Sequence, residues 1–102
     1  MSQEIRTMHG KVVLYKLYDE WTYCSSGYIN PDPIEIGKSV WVGSLSSRAG
    51  YETTAVVSMG NTETIQDSII FETKSGSQYL VVPLEYDLAA VKKHVGENAK
   101  FR

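Results

Sequence analysis

Apolar runs broken by one short polar stretch are clearest between residues 68 and 83, which read Ser-Ile-Ile-Phe-Glu-Thr-Lys-Ser-Gly-Ser-Gln-Tyr-Leu-Val-Val-Pro. Two runs rich in β-branched and aromatic residues flank Lys74, Ser75, Gly76 and Ser77, a pattern that predicts a β-hairpin. Gly76 suits the positive-φ position of such a turn. Upstream, residues 11–18 (Lys-Val-Val-Leu-Tyr-Lys-Leu-Tyr) form another dense β-type run and predict a first strand. Residues 39–43 predict a second strand, with Val40 and Val42 on one face and Trp41 on the other. Residues 51–59 predict a third, and the hairpin supplies the fourth and fifth.

Two stretches break the period-two pattern. Residues 19–33 mix Trp21, Tyr23, Cys24, Ser25, Ser26, Gly27 and Tyr28 with Asn30-Pro31-Asp32-Pro33. The spaced prolines oppose a helix, so a long irregular loop is expected, of a length that often carries function. Residues 87–95 change to helical spacing. Asp87 is an N-cap, Leu88, Val91 and Val95 form an apolar stripe, and Lys92, Lys93 and His94 fall in the last turn. Gly96 terminates the helix. Together these elements predict a mainly β fold, a small five-stranded antiparallel, partly open barrel, SH3-like or OB-like, with a C-terminal α-helix. Residues 1–9 are expected as a loose arm, 10–84 as the barrel and 97–102 as a tail, all within one domain. Open barrels have edges, and edges pair with further copies, so a homo-oligomer is expected.

Composition narrows the partners. The 102 residues carry a formal net charge of −2. That balance argues against a general nucleic-acid coat, whose affinity comes from neutralised phosphates. A single cysteine excludes an internal disulfide and a multi-cysteine zinc site. No apolar run approaches the ~20 residues of a membrane-spanning helix. The first residues lack the apolar core of a signal peptide. A cytoplasmic protein with no membrane association is the expectation.

Catalytic and cofactor signatures do not emerge. There is neither a phosphate-binding GxxxxGK[ST] loop nor a GxGxxG fingerprint. His94 reads as a helix-end cation, Cys24 as a small buried hydrophobe, and Asp19, Glu20, Asp32 and Glu35 as solvated loop charge. No enzyme, no metal and no cofactor are therefore expected. An enzyme built on Cys24 or the acidic loop is the competing reading.

Seven tyrosines and two tryptophans are many for this length, and they suit contact surfaces. The first candidate site is the loop 43–50 with the strand after it. Ser44, Ser46 and Ser47 offer hydroxyls, Arg48 offers a planar cation for phosphate or carboxylate, and Tyr51, Thr53 and Thr54 follow. A small anionic, nucleotide-like ligand would fit there, with Lys38 as a secondary cation. The plainer alternative is a solvated turn whose Ser and Gly serve geometry. The second candidate is the aromatic set Trp21, Tyr23 and Tyr28, with Trp41, as stacking or anchoring groups. Its alternative is a cap over an open barrel end.

The succession Ile36-Gly37-Lys38-Ser39-Val40-Trp41-Val42, then Thr53-Thr54-Ala55-Val56-Val57, then the segment from Phe71 through Gly76 to Leu80 covers under half of the chain. It resembles small uncharacterised phage and mobile-element proteins with a Gly-Lys strand, a Thr-Ser/Thr-x-Val-Val strand and a Thr-x-x-Ser-x-Tyr hairpin, here Thr-Thr-x-Val-Val and Thr-x-x-x-Ser-x-Tyr. Gly76 adds a residue to the hairpin turn, and Thr54 stands where serine is frequent. The resemblance implies a non-enzymatic accessory protein in the host cytoplasm. Such a protein neutralises a host defence factor, by sequestering a small anionic signal or by binding a host protein. A single-stranded nucleic-acid-binding barrel and a structural phage subunit are the alternatives.

Overall fold

The computed structural model describes residues 10–31, 33–47, 49–61, 68–86, 89 and 91. The expected N-terminal arm, Arg48, the helix 87–95 apart from Ala89 and Val91, and the tail lie outside the described residues. Seven strands form in chain order: β1 (Val12–Leu17), β2 (Trp21–Asn30), β3 (Trp41–Gly43), β4 (Gly50–Glu52), β5 (Val56–Asn61), β6 (Ile69–Thr73) and β7 (Gln78–Pro83). They make one antiparallel sheet in the order β4-β3-β2-β1-β7-β6-β5. The sheet is not closed.

Two expectations are corrected. The described residues form seven strands, not five, and the irregular loop expected at 19–33 is for the most part the longest of them, β2. The expected third strand is in fact two strands, because the chain turns at residues 53–55. Thr53 fixes that turn. Its backbone N–H donates to the Val40 carbonyl at 2.8 Å, while its Oγ1 accepts from the Val40 N–H at 3.1 Å and donates to the Thr54 carbonyl at 2.6 Å.

The connection between β4 and β5 dictates the shape. They are the two edges of a seven-stranded sheet. In a flat sheet, edges six spacings apart would stand roughly 29 Å from each other. The four steps from Glu52 to Val56 reach at most about 14 Å. The sheet must therefore curl. Backbone bonds hold the curl: Gly37 N–H donates to the Val56 carbonyl at 2.8 Å, and Val56 N–H to the Lys38 carbonyl at 3.0 Å. The turn between β6 and β7 docks on the same junction through Lys74 N–H and the Ala55 carbonyl at 2.8 Å. Gly76 in that turn has φ +89°.

Curling separates two cores. The inner one gathers Val12, Leu14, Ile29, Ile34, Val40, Val42, Val56, Ile69, Phe71, Tyr79 and Val81. Phe71 stacks on Tyr79 there, with centroids 5.2 Å apart. The outer one gathers Val13, Tyr15, Trp21, Leu80, Val82 and Val91. β1 and β7 contribute alternate residues to both, which is why residues 12–15 and 79–82 run apolar without a break. Among the described residues no helix is long and apolar enough to cross a membrane.

Candidate functional site

β2 begins beside β1 and ends beside β3, and it bends on the way. Leu14 pairs with Ser25 and Tyr15 with Tyr23, so Cys24 is an extra residue without an opposite number. Such a bulge bends its strand and sharpens the twist. Beyond it Ser25 Oγ donates to the Val42 carbonyl at 2.8 Å. Gly27 has φ +133°, and a Cβ there would run into the Gly43 carbonyl, so β2 and β3 approach as only glycine allows.

This bend turns Tyr23, Tyr28 and Trp41 to the outer face, opposite in phase to Ile29 and Val42 of the inner core. Tyr28 pairs with Gly43, Gly43 with Gly50, and Trp41 with Glu52. The Trp41 indole lies across both glycines. A Cβ on Gly43 would meet its Cζ2 at 2.7 Å, and one on Gly50 would meet Cε2 and Nε1 at 2.7 Å. Tyr23 remains 52% exposed and Tyr28 41%. Tyr23 and Ser26 share a hydroxyl bond of 3.1 Å across the bulge. An open groove of about 400 Å³ follows, lined by Asn30, Pro31, Lys38, Ser39, Trp41 and Glu52. Its lysine is paired, Lys38 standing 3.6 Å from Glu35, while Glu52 accepts from Ser39 Oγ at 3.0 Å and keeps its negative charge.

The serine loop is knit to itself. Ser44 and Ser46 hydroxyls lie 3.1 Å apart, Ser47 N–H donates to Ser44 Oγ at 3.3 Å, and Ala49 N–H donates to Ser47 Oγ at 3.3 Å. Ser44 N–H closes the loop on the Ala49 carbonyl at 2.8 Å. These bonds serve the turn. Thr53 is buried in the junction already described, and Trp21 is buried in the outer core. Trp41 and Lys38 thus share a groove, with Tyr28 beside Gly43 on the same outer face. Tyr51 points away from them, against the inner core.

Tyr51 belongs to a cluster absent from the sequence expectations. Its hydroxyl lies 3.0 Å from that of Tyr79. Lys16, opposite Tyr79 in the β1–β7 register, sets its ammonium 4.9 Å from the Tyr18 ring centroid and 5.8 Å from that of Tyr79. Cys24 packs against the same inner core. Burial, with the bond to Tyr51, pushes the Tyr79 hydroxyl well above the usual phenol range. Burial also raises the Cys24 thiol, against the pull of nearby Lys16. Burial works to lower Lys16, but the hydroxyls of Tyr18 and Tyr51 outweigh it and hold the ammonium above its ordinary value. The signal that could have exposed this cluster is the parity of Lys16 with Val12 and Leu14.

Among the described residues no group of three or more His, Cys, Asp and Glu side chains gathers as a metal site would require. Compared with protein-family models, curated proteins and solved structures, the chain matches none.

Proposed function

We propose that this chain is a non-enzymatic binding protein of phage or mobile-element type that neutralises a host factor by occupying a host protein. Its contact surface is the outer face of β2, β3 and β4. The observation that carries this reading is the indole of Trp41 spread over the Gly43–Gly50 pair beside exposed Tyr28. The inner core lies on the other side of these strands, so nothing in its packing calls for an aromatic shelf here. Tyr and Trp supply large, stiff contact area at small entropic cost, which is why they dominate protein hot spots. Lys38 is already paired with Glu35, and Glu52 adds a negative charge, which together favour a protein over a free anion in this groove. The curl that presents the face is read as a partly open barrel of SH3-like or OB-like kind.

A second copy is a further partner this reading includes. β5 is an edge strand, and Val57 and Met59 on it are 49% and 43% exposed.

The test is quantitative co-purification from host cells, comparing the wild type with Trp41→Ala and Tyr28→Ala. A host protein retained by the wild type and depleted about tenfold or more in Trp41→Ala supports the reading. Equal retention by all three proteins overturns it.

A further inference from the structure

The polar end of the inner core, rather than the serine loop, has the makings of an anion site. Lys16 is half-buried at the end of β1. Among the described residues no carboxylate lies within ion-pair distance of its ammonium. Asp19 and Glu20 follow in the turn and line the cleft on the Tyr18 side with Thr22, so a bound anion is held on the Lys16 and Tyr51 side of Tyr18. A partly desolvated cation without a counter-charge draws anions more strongly than a fully solvated one, because the local dielectric is lower.

The hydroxyls around it are arranged to help. The Lys16 ammonium lies 4.9 Å from the Tyr18 ring centroid and 5.8 Å from that of Tyr79, whose hydroxyl meets that of Tyr51. Tyr51 and Tyr79 hold two protons, and the 3.0 Å bond between them consumes one. When Tyr79 donates within the pair, the Tyr51 proton is left to point outward. An ammonium with spare N–H groups and a phenol proton together fit an acceptor with several oxygens. Tyr18, 59% exposed, adds an open ring beside them.

We propose that Lys16, Tyr51 and Tyr18 form a binding site for the phosphate group of a small molecule, at the open end of the inner core. This site is separate from the outer aromatic face and does not rest on the proposed host-protein contact. The phosphate group could arrive as inorganic phosphate or as part of a nucleotide, in which case Tyr18 stacks on the base.

The experiment is an amide NMR titration of the full chain at low salt, with inorganic phosphate in one arm and adenosine monophosphate in the other. Saturable shifts are expected at Lys16, Tyr18 and Tyr51. Lys16→Gln should weaken both ligands about tenfold or more, as loss of a charged hydrogen bond does. Lys38→Gln should leave both affinities unchanged. Tighter binding of the nucleotide that falls to the phosphate value in Tyr18→Ala identifies the nucleotide as the source, and equal binding in wild type identifies the phosphate group alone. Absence of saturable shifts at Lys16, or the same affinity in Lys16→Gln, would overturn the proposal. Amide spectra of each variant in the free state establish that it is folded.

Discussion

Two aromatic regions on the same curled sheet have opposite electrostatic character. On the outer face, Trp41 and Tyr28 sit beside Lys38, whose charge Glu35 answers, and beside the Glu52 carboxylate, which accepts a bond from Ser39. At the end of the inner core, Tyr18, Tyr51 and Tyr79 surround a lysine without a carboxylate partner among the described residues. The residue types are alike, and what differs is whether the local cation is answered. An aromatic shelf whose lysine is already paired favours a partner that brings apolar area. An unanswered cation among hydroxyls favours an anion.

The largest effect should come where both regions depend on one bend. Gly27→Ala forces a Cβ into the Gly43 carbonyl at a left-handed φ. Strain and overpacking together should cost about 3 kcal/mol or more, read as a drop in the denaturant midpoint. Both ligand classes should be lost with it. Trp41→Ala should separate the regions. Partner affinity should fall by about 2 kcal/mol or more, as at a hot spot, while phosphate binding at Lys16 stays as in the wild type.

Tyr79→Phe acts on the inner end alone. Removing the hydroxyl bond to Tyr51 should cost about 1 kcal/mol. It should also change the alkaline limb of stability. Tyr79 is held above its ordinary value of 10.0 in the folded chain, so the folded state keeps a proton that the unfolded state releases. Its contribution is complete below pH 10 and declines as pH rises beyond it. Tyr15, raised chiefly by burial, acts in the same sense. Melting temperatures from pH 8 to 11 should fall at the alkaline end, and less steeply in Tyr79→Phe. The smallest effect belongs to Lys38→Ala. Lys38 and Glu35 are 63% and 51% exposed, and such pairs contribute about 0.5 kcal/mol or less.

The hairpin β6–β7 and strand β1 were legible because burial follows an uninterrupted β-type sequence there. β2 was not. Its inner positions include Ser25 and Gly27, small enough for β3 to approach, so no apolar alternation marks the strand. The Cys24 bulge then shifts the phase of what pattern remains. The division of residues 51–59 into β4 and β5 depends on Thr53 bonding across to Val40, a contact between segments 13 residues apart. For the outer face, the opposite phase of Trp41 and Val42 was readable within β3, but its meeting with Tyr28 required the register of β2. Lys16, Tyr51 and Tyr79 come from three strands distant in sequence; the β1–β7 register pairs Lys16 with Tyr79, and the curl brings Tyr51 of β4 to them.

The central claim is that the outer face of β2, β3 and β4 is the contact with a protein partner. Native mass spectrometry of the protein isolated from host cells tests it most directly, comparing wild type, the Tyr28→Ala/Trp41→Ala double variant and Lys16→Gln. The account predicts a protein partner bound to the wild type and to Lys16→Gln, and absent from the double variant. A partner that survives the double variant, or that disappears with Lys16→Gln, would contradict it.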